Sequence, residues 1–569
     1  MNPKIVTILR ELAVLYDLKG IKFKPRAFER AADAVAVLGL DVRDIYEDGG
    51  LKALEDIPGV GEGIAERIEE YIKTGHIREY ARMKKVLPID IAGITAIEGI
   101  GPKTVALLYR KLKIRTRAQL EQAARKGRLA GVRGIGAKGQ ERILRAMRYL
   151  KESGDRKLPG VIWPQIREVA DAIASWPHVK RVELVGSLRR MQESIGDMDM
   201  IAISDDTADT LNRFASMPQV RSVYAHGHTN VLVRLAIGMD ADLWVYAPES
   251  YGAALIAWTG DKAHNIHLRT LAKRKHLMLD DFGLFRGTHM VAGKTEEDVY
   301  RKLGLSFIPP ELRDDSGEIE AAAKHALPTL VGYNDVKGDL QVQTDWTDGR
   351  DSILTMARAA RSAGLEYIAI TDHTKYLTVA GGLDERALKK QWSEIDRVQR
   401  EVPGLKILKG SECDIRKDGS LDLPDGVLAQ LDVVGISVHS YFNLPRAQQT
   451  ARIMAAMSNP HADILFHPTG RLIGRREPYD VDMPALIAHA KKTKTILEAD
   501  AHPERLDLNG GYIRQAIAAG VRISIDTDAH AAEELGYLRW GIGQARRGWA
   551  RKSDVINTRP WKQMLNLLK

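Results

Sequence analysis

A chain of 569 residues is too long for a single hydrophobic core and points to three or four domains. Its hydrophobic share of 44% and charged share of 28% are those of ordinary globular protein, and no run of 18 or more apolar residues marks a membrane span. The first twenty residues lack a signal-peptide layout, and one cysteine, Cys413, excludes an internal disulfide framework, so a reducing cytoplasm is expected.

The net charge of +9 is unevenly spread. Residues 101–155 hold 15 Lys and Arg against 4 Asp and Glu, so the remaining 514 residues sum to −2. A basic excess confined to one segment points to a polyanion, most simply nucleic acid. The first 150 residues carry a repeated element, apolar-Gly-apolar-Gly leading into a helix. It occurs at Ile57–Gly61 (Gly59, Gly61), Ile97–Gly101 (Gly99, Gly101) and Val132–Gly136 (Gly134, Gly136). Glycines permit the tight turn, and the new helix offers unpaired N–H groups to an anion. One such turn is weak evidence; three, two of them in the basic segment, read as grips on DNA phosphates, assisted by Lys103 and Lys138.

From about 160 to 315 the pattern becomes mixed α/β, with strands expected at 179–186, 197–204, 230–237 and 241–247. The most informative stretch is LVGSLRRMQESIGDMDMIAI. Gly186 and Ser187 follow one strand, and Asp197 and Asp199 lie on the next, where alternation points both to one side. Adjacent carboxylates repel unless divalent metal lies between them. Gly186-Ser187 and Arg189 or Arg190 can hold a triphosphate, and Asp242 on a third strand supplies another carboxylate. Either element alone is explained by a surface turn; together they suit two-metal phosphoryl or nucleotidyl transfer.

After a linker expected at 309–330, apolar strands alternate with helix-length segments, as in a barrel-like α/β domain. His373, Glu412, His439, His467, Asp528 and His530 each end an apolar strand, and Asp348 follows another. A lone strand-end histidine is more often structural, but this set is of metal-ligand type. Cys413, beside Glu412, reads as a small buried hydrophobe.

GSLRR followed by GDMDM, and ESYGAALIAWTGDKAHNIHLR, resemble the bacterial X-family DNA polymerases that carry a C-terminal PHP (polymerase and histidinol phosphatase) domain. The resemblance runs along essentially the whole chain. It implies a multidomain α and α/β protein: a helix-hairpin-helix DNA-end-binding domain at 1–88, further hairpins at 89–155, a palm at 156–248, a thumb-like segment at 249–315, and linker plus PHP distorted barrel at 316–569. It implies that Asp197, Asp199 and Asp242 bind catalytic Mg²⁺ or Mn²⁺, with Asp240 the competitor for the third position. Ser187 and Arg190 would hold the dNTP triphosphate, and Gly260, Asn265 and Arg269 would lie along the nucleotide and template pair.

Departures from the family are specific. Ala257-Trp258 stands where an aromatic residue usually precedes x-Thr-Gly, and Trp244 replaces an arginine, which leaves sugar discrimination open. The position matching the lyase lysine is Arg67, which cannot form an imine, so lyase activity is not expected. Lys22 and Lys24 remain to contact a 5′ phosphate. In the PHP domain, which binds Mn²⁺, Zn²⁺ or Fe, the family His-x-His is Gln341-x-Gln343, and Asp500 stands for Asn. A weakened metal site is therefore expected there.

The expected function is gap-filling DNA repair synthesis by a cytoplasmic, nucleoid-associated monomer acting on gapped, 5′-phosphorylated DNA, with doubtful exonuclease activity. Two alternatives stay open: a nuclease acting through the PHP domain, and a non-catalytic DNA-end-binding protein. Assays of 3′ ends with and without dNTPs separate all three.

Overall fold

The computed structural model describes residues 1–569 except 37, 39–40, 96, 98–99, 133, 138, 142, 145–146 and 148–155; the side chains of 3 and 36 are likewise not described. Gly99 and Lys138, expected as phosphate contacts, lie outside the described residues. The chain divides into two compact units. One is 1–154 with the short stretches 348–351 and 474–477, and the other is the remainder from 155 to 569.

The first unit is helical. Its opening helix, Asn2–Leu18, buries Ile5, Leu9, Leu12 and Leu15, the i, i+3/i+4 spacing of one apolar face. That face packs on the helix Lys24–Ala36, and the same core takes in Phe28 and Ala32 of that helix and Ile64 and Ile68 of the helix Glu62–Thr74. The repeated hairpins share one backbone signature. The fourth residue of each turn bonds the carbonyl of the first: Val60 to Ile57 at 2.9 Å, Ile100 to Ile97 at 3.1 Å, Ile135 to Val132 at 3.0 Å. Gly61 and Gly101 are then the N-cap residues of Glu62–Thr74 and Pro102–Leu112.

In the second unit a five-stranded sheet comprises β1 (Val179–Leu184), β2 (Asp197–Ser204), β3 (Val220–His226), β4 (Asn230–Leu235) and β5 (Asp240–Tyr246), in the order β1-β2-β5-β4-β3. Only β2 and β5 run parallel, which brings the starts of both strands to the same edge. The helices Tyr251–Thr259 and Lys262–Arg274 follow. A small sheet, β6 (Met278–Leu279), β7 (Leu284–Arg286) and β8 (His289–Ala292), and the helix Glu296–Lys302 complete the thumb-like segment. The connecting stretch 309–330 is packed rather than loose. Arg313 and Glu318 are fully buried, because each has an ionic or hydrogen-bonding partner from the preceding helices.

Seven parallel strands then form the barrel in sequence order: β9 (Gly338–Val342), β10 (Tyr367–Ile370), β11 (Lys406–Asp414), β12 (Val433–Ser437), β13 (Ile464–Leu465), β14 (Ile496–Asp500) and β15 (Ile523–Asp526). Near-continuous apolar strands are what a sheet covered on both faces requires. A bridge between Val342 and Ala529, and the Leu340 N–H donating to Asp526 at 2.8 Å, join the last strand to the first.

Candidate functional site

The parallel pairing of β2 with β5 sets Asp197 opposite Asp240 and Asp199 opposite Asp242. The two candidates for the third carboxylate have different environments. Asp240 is engaged by Arg234 at 2.9 Å. Asp242 is held by the Trp244 indole N–H at 2.9 Å and by the Asn230 amide at 3.4 Å, and it faces the same side as Asp199. Burial, then the charges of Asp197 and Asp242, push the Asp199 carboxyl from 3.8 to about 7, with Arg190 acting against the rise. Burial also raises Asp242. The donor set is therefore oxygen-rich, crowded and short of positive charge, which is what a hard divalent cation relieves.

Gly186 turns the chain from β1 into the one-turn helix Gly186–Arg189 with φ +62°. A Cβ there would lie 2.1 Å from Asp199 Oδ2, so only glycine lets this turn reach the carboxylate. The two arginines of GSLRR part company. Arg189 makes a two-pronged pair with Glu296 (2.8 and 2.7 Å), and Glu296 also takes Arg313 at 2.6 Å. Against the effect of burial, Arg313 and Arg189 hold Glu296 down to about 2. Arg190 reaches the Thr259 carbonyl at 2.7 Å and stays close enough to lower Asp199, while Ser187 follows Gly186 in the same turn. Neither Glu296 nor Arg313 carries a sequence signature: Arg189 lies 107 residues before Glu296 in the chain, and Arg313 lies 17 after it.

In the thumb-like segment the Asn265 amide donates to the carbonyls of Ala257 (2.7 Å) and Gly260 (3.0 Å), which fixes the x-Thr-Gly turn. Arg269, one helical turn beyond Asn265, is exposed. The two aromatic departures meet: the rings of Trp244 and Trp258 are 4.7 Å apart, and the Trp258 N–H bonds the Tyr246 hydroxyl at 2.7 Å. Trp244 thus links this aromatic pair to Asp242, a role that sequence reading missed because the two positions were considered separately.

At the C-terminal ends of the barrel strands, Glu412 is the centre. His467 lies 2.8 Å away, and His373 and His439 lie 3.3 Å away. His373, Glu412 and His439 bring their ligand atoms within 4.8 Å of one another, a group able to hold a metal ion. Although burial opposes it, His373 and His439 keep the Glu412 carboxyl well below the usual range. Against burial, Glu412 and Asp414 push His439 up to about 10. Asp528 and His530 follow β15, with the His530 ring 6.4 Å from His373. Asp348 belongs to the stretch that groups with the first unit.

Both glutamines are fully buried. Gln343 donates its amide to Glu412 at 2.8 Å, while its carbonyl oxygen, and both polar atoms of Gln341, have no hydrogen-bond partner among the described residues. Beside them Asp500 and Asp528 receive Arg505 at 3.4 and 3.1 Å. This half of the cluster offers amide and carboxylate oxygens and a resident guanidinium in place of imidazoles. The residues fit one nitrogen-and-carboxylate site and a weaker oxygen-only one.

In the helical unit Arg67 pairs with Glu79, with its Nε 2.9 Å from Oε2, and lies over the Phe28 ring. Lys24 lies over Tyr16, and Lys103 is in the first turn of the helix Pro102–Leu112 at the second hairpin.

Comparison with known proteins agrees with the order of the folded regions along the chain. The DNA polymerase beta thumb family matches residues 254–314, the helix-hairpin-helix domain matches 1–77, and the SAM-like helix-hairpin-helix tandem matches 92–148. These matches define the class: a polymerase-type thumb joined to helix-hairpin-helix domains. A DNA polymerase/3′-5′ exonuclease PolX of Bacillus subtilis (strain 168) is 36% identical over 570 residues, covering 99% of each chain. DNA polymerase lambda of Arabidopsis thaliana is 23% identical over 55% of this chain and 62% of its own. A probable phosphatase of Thermoanaerobacter sp. (strain X514) is 27% identical over 36% of this chain and 84% of its own. The chain belongs to the PolX family, the X-family DNA polymerases with a C-terminal PHP domain.

The crowding of the carboxylates has a measurable consequence without metal. Asp199 titrates higher in the folded protein than its ordinary 3.8, so its contribution to stability falls as pH rises from about 4 to about 7. Asp199→Asn should remove that loss and raise the melting temperature of the EDTA-treated protein at pH 8, by roughly 1 °C per kcal/mol relieved in a unit of this size. Differential scanning calorimetry of both proteins at pH 5 and pH 8 tests this. An unchanged or lower melting temperature at pH 8 contradicts it.

Proposed function

We propose that the chain fills short gaps in DNA by nucleotidyl transfer, with Asp197, Asp199 and Asp242 holding Mg²⁺ or Mn²⁺. The observation that carries the reading is the register of β2 and β5 against Gly186, which gathers carboxylates beside a turn able to bind phosphate. Divalent ions, when bound, supply the charge that stabilises in-line attack and departure. Ser187 and Arg190 bind the triphosphate, and Arg189 holds the turn in place from behind through Glu296. Gly260, Asn265 and Arg269 align the nucleotide with the template pair.

In this reading residues 1–88 and 89–155 grip DNA phosphates, the first of them beside a 5′ phosphate through Lys22 and Lys24, and the protein acts as a cytoplasmic monomer. Residues 156–248 and 249–315 form the palm and thumb, and 316–569 the PHP domain. Arg67, engaged with Glu79, forms no imine. The PHP domain binds Mn²⁺, Zn²⁺ or Fe tightly at His373, Glu412 and His439, with His467, Asp348, Asp528 and His530 near or beyond, and weakly on the glutamine side.

Asp197→Ala or Asp199→Ala should abolish primer extension on gapped DNA with dNTPs while leaving DNA affinity within about twofold, because the phosphate grip lies elsewhere. Substantial synthesis by either variant, measured by gel extension, would refute the assignment.

Binding should fall steeply with salt, and Lys103→Ala should lower the slope of log K against log[salt] by roughly one, equally for different sequences. A changed sequence preference at constant slope in fluorescence anisotropy titrations would contradict the hairpin reading.

Any 3′-5′ exonuclease should be feeble and favoured by high Mn²⁺. The double variant Gln341→His, Gln343→His should bind more metal by elemental analysis and hydrolyse 3′ ends faster. If it gains neither, the barrel is a scaffold and not a half-disabled nuclease.

A further inference from the structure

The one-turn helix Gly186–Arg189 has two ends with different needs. Its start faces the carboxylates. Just past its C-terminal end, the backbone carbonyls of Arg190 and Met191 lie outside the helix's own hydrogen bonds. Those carbonyls are satisfied from the PHP domain, some 350 residues later in the chain. Gln544 donates its amide to the Met191 carbonyl at 2.8 Å, and Arg547 donates Nη1 to the Arg190 carbonyl at 3.0 Å. Both lie on the helix Leu538–Arg547, and Gln544 is buried.

The fit leaves no slack. Met191 has φ +54°, a left-handed conformation unusual for a side chain of its size, and is itself buried. Gly543 packs so closely on it that an added Cβ would lie 2.6 Å from Met191 Cε. The same helix end also holds the strap that closes the thumb-like segment. Arg547 pairs with Asp314 at 3.3 Å, and Arg546 pairs with Glu311 at 2.8 Å. Arg313, between those two acids, is the partner of Glu296, which holds Arg189.

We infer that Gln544 and Arg547 of the PHP domain are positioning residues for polymerisation: they fix the Gly186–Met191 turn that holds the dNTP triphosphate. This deepens the proposed function and rests on its reading of Ser187 and Arg190. A one-turn helix is only about 6 Å long, so a shift at its C-terminal end is carried to its start almost undiminished. The role is independent of the barrel's metal chemistry, since neither residue belongs to the His/Glu cluster.

The experiment is steady-state single-nucleotide incorporation on gapped DNA by the full-length protein and its variants, with folding checked by circular dichroism melting. Arg547→Met should raise KM for dNTP about tenfold with kcat within about twofold, the signature of lost ground-state positioning. Arg547→Lys, which keeps one donor, should recover part of the loss. Gln544→Leu, matched in size, should raise KM in the same sense and decides the matter if Arg547→Met does not fold. A KM within twofold of the unmodified protein for both residues, whether or not kcat falls, overturns the inference. An unmodified protein that incorporates nothing, or an Asp199→Ala variant as active as it, would instead overturn the polymerase reading.

Discussion

Like charge held at close quarters governs this molecule. Parallel pairing of β2 and β5 sets Asp199 directly across from Asp242, with Asp197 one step along, and much of the surrounding structure answers that placement. Gly186 stands where no Cβ fits. Arg234 occupies Asp240 and so removes one negative charge from the edge. The indole of Trp244 and the amide of Asn230 fix Asp242. Behind the turn a largely buried Arg189–Glu296–Arg313 chain sets one carboxylate between two guanidiniums. The proposed metal site is left short of positive charge, and the remaining charges are paired at one remove.

The barrel repeats the problem with a different answer. On one side, histidines surround Glu412 and the charges roughly cancel. On the other, Asp339, Glu498, Asp500, Asp526 and Asp528 are buried close together. Burial and their neighbours push Asp526 to about 8 and Asp339 to about 6. Arg505 is the cation there. Two glutamines in place of histidines do not merely subtract ligands; they change the chemistry of half the cluster from nitrogen to oxygen.

Much of this was legible in the sequence where a local pattern had a local cause. The strand 197–204 follows from alternation, and helices begin directly after the hairpin glycines, because each rests on backbone rules that act over a few residues. Strand β3 was missed because all but the first of its residues are exposed, so no apolar alternation marks it. The stretch 309–330 read as a linker from its prolines, yet Arg313 is buried there by a partner 17 residues away. Arg505, and the meeting of Trp244 with Trp258, could not be read at all. Both depend on which loops the fold brings together, and no periodicity encodes that.

Cys413 lies on β11 beside Glu412, fully buried, with its thiol pushed well above the ordinary range first by burial and then by nearby carboxylates. Thiol reagents attack the thiolate, and here almost none forms and none is reachable. The native protein is therefore a blank background for cysteine chemistry. A thiol introduced at any exposed position of the hairpins or the thumb-like segment would be the sole site of labelling, and a fluorophore pair could be placed on the chain without first removing a natural residue.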